Sequence, residues 1–186
     1  MASLERSLDT LYPDWEHRLN KNISHFGLKE GQLTESIKSD LRWTGYYTTK
    51  IIDGSLNSIL SSEKLELLRD TNLKNMLTAY PANITDFKFN ETNLVRYVRD
   101  DQRVIFRQYV ALADNSDFNS IVRQNGAKSD YIGLINNLYY QNTLVGNSYG
   151  LRSLRTIAED LKSTTEAIYN LLLENINKNP NHIVEQ

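Results

Sequence analysis

Cysteine is absent from this chain of 186 residues, which excludes disulfides, thiolate metal sites and thiol nucleophiles. The absence does not choose between cytosol and periplasm. Glycine and proline are scarce, at 8 and 3, and the glycines are too dispersed to form a phosphate cradle. No stretch approaches the roughly 18 to 20 consecutive apolar residues that cross a bilayer. The first twenty residues also lack the basic-then-apolar order of a signal peptide. No membrane contact is therefore expected of this fragment, although its Met-Ala-Ser opening is compatible with a start added where an N-terminal anchor was removed. Neither charge sign dominates. A net charge of -2 and a pI near 5.9 give nucleic acid no general attraction.

What is present is helical periodicity. Apolar residues recur three and four apart nearly throughout, and no alternating strand pattern of useful length occurs. Leu4, Leu8, Leu11, Trp15, Leu19 and Phe26 form one stripe of a first helix, with Pro13 starting or kinking its main part and Gly27 near its end. A second helix is expected over 33–52, with Leu33, Ile37, Leu41, Thr44, Thr48 and Ile51 on one face. Ser61 and Ser62 read as caps of a short helix carrying Leu65, Leu67 and Leu68, and Asp70 or Thr71 as the cap of the next element.

That element holds the longest regular pattern: Leu77, Tyr80, Ile84, Phe87, Glu91, Leu94, Val98, Asp101, Ile105, Gln108 and Leu112. It resembles a coiled-coil seam, and a kinked continuation through Pro81 is favoured over a break. Residues 114–130, DNSDFNSIVRQNGAKSD, read as the longest connection and the least protected internal segment. A second seam runs through Leu151, Leu154, Ala158, Leu161, Thr165, Ile168 and Leu172, with Gly146 and Gly150 marking a break before it. The expected fold is an all-α antiparallel bundle of four to five helices, two of them long. It is read as one domain over 1–178 with a flexible tail over 179–186.

Chemistry-bearing patterns are few. His17, His25 and His182 have no metal-ligand spacing, and carboxylate neighbours such as Asp100 and Asp101 point in different directions on a helix. No catalytic residues, metal or cofactor are assigned. Arg96, Arg99, Arg103 and Arg107, spaced three, four and four apart, share one ideal helix face and could hold an anion. A solvated face paired with acids such as Asp100 is the plainer explanation. Tyrosine is abundant, with 11 residues, and Tyr139 and Tyr140 join the four arginines as candidate ligand-binding residues because a tyrosine ring ends in a hydrogen-bonding hydroxyl. Glu91, Asp101 and Gln108 inside the apolar seam could line a polar cavity, but a partly exposed seam accounts for them more simply.

The stretches IIDGSLNSILSSEKLELLRDTNLKNMLTAYP over 51–81 and YIGLINNLYYQNTLVGNSYGLRSLRTIAEDL over 131–161 resemble an uncharacterised, membrane-anchored family of bacterial helical domains, best represented in Bacteroidetes. The resemblance implies an extracytoplasmic helical module, periplasmic in setting, and brings no catalytic residue or ligand. The resulting expectation is a non-enzymatic interaction or sensory domain with a protein partner or self-association. Its alternatives are an anion-binding or hydrolytic protein using the arginine face, and a structural homo-oligomer.

Overall fold

The computed structural model describes residues 2–51, 68–111 and 126–178, together with the single residues 54, 58, 60 and 65. Its described elements are all helical. The expected short helix over 63–68 and the connection over 114–130 fall largely outside the described residues, as does the tail over 179–186.

The first helix runs through α1 (Ala2–Arg6), a π turn (Ser7–Leu11) and α2 (Tyr12–Ser24). Pro13 accounts for the wide turn, because proline has no N–H and its ring crowds the carbonyl four residues back. A five-residue repeat, closed by the Tyr12 N–H on the Ser7 carbonyl, absorbs the ring without ending the helix. Gly27, with φ 76°, then turns the chain out of it.

Helix α3 (Glu35–Leu41) begins at Thr34, whose hydroxyl accepts from the Ile37 N–H at 3.3 Å. It stops far short of the helix expected over 33–52. Residues 44–51 have no regular secondary structure, which corrects the assignment of Thr44, Thr48 and Ile51 to a helix face. The run Thr-Gly-Tyr-Tyr-Thr-Thr has poor intrinsic helix preference, and its backbone groups find partners on other elements instead.

Asp70 caps α4 (Thr71–Tyr97) through the Leu73 N–H at 3.0 Å. The helix continues through Pro81 and passes via a second π turn (Val98–Gln102) into α5 (Arg103–Tyr109). The extra residue of that turn shifts the buried face. Up to Val98 the expected seam is the buried one, but beyond it Gln102 and Phe106 are buried while Gln108 is exposed and Asp101 half-buried. The expected positions 101, 105 and 108 are therefore corrected by one.

Helix α6 (Tyr131–Asn136) is capped by Asp130, and α7 runs unbroken from Leu138 to Lys178. Gly146 and Gly150 thus do not break it. A Cβ at Gly150 would lie 2.9 Å from Leu94 Cδ1, and one at Gly146 would lie 3.1 Å from the Tyr97 hydroxyl. These glycines let α4 and α7 approach closely. The two long helices are antiparallel, as the pairs Asp70 with Asn175, Tyr80 with Thr165, and Leu94 with Gly150 require.

The main core gathers Trp15, Leu19, Phe87, Leu144, Leu151 and Leu154 with their neighbours from all the helices. A smaller cluster of Leu73, Leu77 and Ile168 closes the far end of the α4/α7 pair. The second expected seam is borne out: Leu151, Leu154, Ala158, Leu161 and Ile168 are buried, with Thr165 and Leu172 half-buried.

Candidate functional site

Two arrangements of polar groups stand out, one inside the bundle and one on its surface. The inner one centres on Glu91. Its position in the apolar seam is explained by enclosure: the side chain is buried against the N-terminal helix and the irregular segment, so the expectation of a partly exposed seam does not hold there. Its Oε1 accepts from the Tyr12 hydroxyl at 2.9 Å and from the Thr49 N–H at 2.7 Å. The Tyr12 and Thr49 hydroxyls also lie 2.8 Å apart. The Thr49 hydroxyl donates to Ser7 Oγ at 2.7 Å, and Ser7 donates to the Ser3 carbonyl at 3.1 Å. Burial pushes the Glu91 carboxyl above the usual range, with the bonds from Tyr12 and Thr49 opposing it. Burial likewise pushes the Tyr12 hydroxyl up, so it remains a donor. A second buried pair joins Asn147 Nδ2 to Gln102 Oε1 at 2.9 Å. The remaining amide atoms of that pair, Gln102 Nε2 and Asn147 Oδ1, are buried without a hydrogen-bond partner among the described residues.

The surface arrangement is a groove of about 360 Å³ between α4 and α7, whose lining includes Asn93, Arg96, Tyr97, Gly146, Gly150 and Ser153. The close helix approach at the two glycines forms its floor. Tyr97, 37% exposed, lines it, and Tyr139 and Tyr149 are exposed on α7 at 52% and 66%. Tyr139 donates to Asp101 Oδ1 at 2.8 Å, and that bond is the main cause that pushes its hydroxyl up.

The six residues singled out in the sequence part company here. Arg96 lines the groove, and Tyr139 is exposed on α7 with its hydroxyl on Asp101. Arg99 is drawn aside by Asp100, with Nε to Oδ1 at 2.8 Å, the pairing expected of a solvated face. Arg103 turns inward, donating from Nε to the Thr44 carbonyl at 3.0 Å, with its guanidinium 5.2 Å from the centre of the Tyr46 ring. Arg107 is exposed on α5. Tyr140 is wholly enclosed in the core. The π turn is the cause of the dispersal, because one inserted residue rotates everything after it by about 100°.

Sequence reasoning missed Thr49, Tyr12 and the Gln102–Asn147 pair, whose partners lie tens of residues away. The one available signal was a carboxylate at a core position, Glu91. His25 sits beside Asp40, with Nε2 to Oδ2 at 3.3 Å, which fits the structural role expected of it. His182 lies outside the described residues. A further cavity of about 480 Å³ between α3 and the start of α6 has mixed charge. Its Lys38 is held by Glu35 at 2.8 Å and its Arg42 by the Tyr131 hydroxyl at 2.8 Å. Among the described residues no group of three or more metal-ligating side chains converges, and no helix is long and apolar enough to cross a membrane.

No protein family, curated protein or solved structure matches the chain.

Proposed function

We propose that this chain is a helical interaction or sensory domain, non-enzymatic in action, that docks a segment of a partner protein on the α4/α7 face. The observation that carries this reading is an open groove lined by Arg96 and Tyr97, with Tyr139 and Tyr149 left exposed on the α7 helix that forms its other wall. Tyrosine and arginine are the side chains most enriched at protein interfaces, where a rigid ring covers area at little entropic cost. Among the described residues no hydrogen bond or ion pair occupies the Arg96 guanidinium, so the partner segment is expected to bring a carboxylate to it. The alternative of a four-arginine anion site is less favoured, because Arg99 and Arg103 are engaged elsewhere.

Photo-crosslinking in the source cell tests the proposal. A photoreactive phenylalanine analogue in place of Tyr149 should give one discrete adduct, while the same analogue at the exposed Glu166, on another face of α7, should give none. Equal labelling at both positions, or none at Tyr149, would refute the reading. An adduct of twice the chain's mass would reassign the face to self-pairing.

A further inference from the structure

The segment 43–50 crosses the N-terminal helix and α4 without regular structure, and its polar backbone is held by side chains. The Thr44 carbonyl accepts from Arg103 Nε at 3.0 Å, and the Lys50 N–H donates to Ser3 Oγ at 3.2 Å. Tyr47 donates to Asp14 Oδ2 and sets its ring edge-on to Trp15, with centroids 6.5 Å apart. At the buried end, the Thr49 N–H and the Tyr12 hydroxyl both end on a single atom, Glu91 Oε1. A strap tied in this way lacks the shared cooperativity of a helix or sheet ladder, so its closure depends on few individual groups.

We infer that residues 43–50 form a latch closed by protonation of Glu91 and loosened when that carboxylate ionises. This goes beyond the proposed docking role and does not depend on it. A charged carboxylate enclosed between Tyr12, Thr49 and apolar α4 neighbours can regain water only if the strap lifts. Protonated, Glu91 keeps a carbonyl oxygen for the same two donors and carries no charge to hydrate.

The surroundings leave Glu91 as the deciding group. Tyr12, from the N-terminal helix, is held protonated. Burial raises the Glu91 carboxyl, and the bonds from Tyr12 and Thr49 oppose it. On α7, Arg155 and Arg152 are engaged with Glu16, at 2.7 and 3.3 Å. The side chain of Lys50 is exposed. The other carboxylate holding the strap, Asp14, is kept below the usual range by its bonds from Arg18 and Tyr47, so it titrates only under more acid conditions. The sign follows from linkage. The folded-state pKa of Glu91 is raised, so its contribution to closure is fully present below the unfolded value and is lost as pH rises through the folded one.

Amide hydrogen exchange on the intact chain, expressed as protection relative to the intrinsic rate, tests the latch. In the wild type, protection of the Thr49 amide should fall as pH rises above the ordinary carboxylate range, by at most about tenfold per unit for one proton. The Leu94 amide, inside α4, should hold its protection over the same range. Glu91→Gln, which keeps the acceptor oxygen and cannot ionise, should be flat at Thr49. A flat wild-type profile, a fall shared equally by Leu94, or an unchanged slope in Glu91→Gln would overturn the inference. The comparison of Thr49 with Leu94 within the wild type decides the matter even if that variant fails to fold.

Discussion

Arg103 gives the sharpest contrast between a helix face drawn from spacing and the face the chain presents. On an ideal helix it is one of four solvated arginines, and truncating it would change stability by no more than about 0.5 kcal/mol. In the structure it is half-buried, bonded to the Thr44 carbonyl at 3.0 Å and stacked over Tyr46. A hydrogen bond from a charged donor contributes about 1.5 to 3 kcal/mol when well buried, and solvent screening at a half-buried site lowers that. Stacking of a cation over the half-buried Tyr46 ring adds at least about 0.5 to 1 kcal/mol. Arg103→Ala should therefore destabilise the fold by about 1 to 2 kcal/mol, read from urea denaturation followed by far-ultraviolet circular dichroism. Arg103→Lys should recover only part of the loss, because an ammonium cannot reproduce the Nε–H geometry against Thr44. Fluorescence of Trp43, at the entry to the strap, should change in Arg103→Ala before global unfolding. A loss below about 0.5 kcal/mol would place Arg103 on a solvated face and refute the tie to the strap.

Two other expectations follow from the interior. Leu161, 2% exposed in the α7 seam, should cost about 2 to 5 kcal/mol when cut to alanine, since truncation removes transfer energy and leaves a cavity; a negligible shift in the urea midpoint would mean that another α7 face meets the core. Asn147→Ala orphans the Gln102 oxygen and should cost about 1 to 3 kcal/mol, whereas Gln102→Met combined with Asn147→Leu should be close to neutral. A double variant worse than the single one in the same denaturation series would show that the pair does more than satisfy itself.

The helical class, the α7 seam and the α4 seam as far as Val98 were legible because periodicity reports directly on which side of a helix meets the core. Leu151 through Ile168 needed nothing beyond that. Gly146 and Gly150 were misread as a break because glycine signals both a helix end and a close packing point, and only the facing Tyr97 and Leu94 decide between them. The strap was misread as helix because Thr44, Thr48 and Ile51 fall at helical spacing by coincidence, while its bonds run to Ser3, Ser7, Glu91 and Arg103, distant in sequence. The π turn at Val98–Gln102 has no local signature in the sequence, yet it disperses the arginine stripe. Of the candidate ligand-binding residues, Arg96 and Tyr139 share the α4/α7 face, where a partner is proposed. Tyr140, next in the chain, points into the core because adjacent helical residues diverge by about 100°.

The central claim is that a partner's carboxylate meets Arg96 on the α4/α7 face, and charge reversal addresses it directly. In a chain carrying the photoreactive analogue at Tyr149, Arg96→Glu should abolish the covalent adduct and Arg96→Lys should retain it. Both exposed-site variants should unfold within about 0.5 kcal/mol of the parent. An adduct that forms undiminished in Arg96→Glu would contradict the claim.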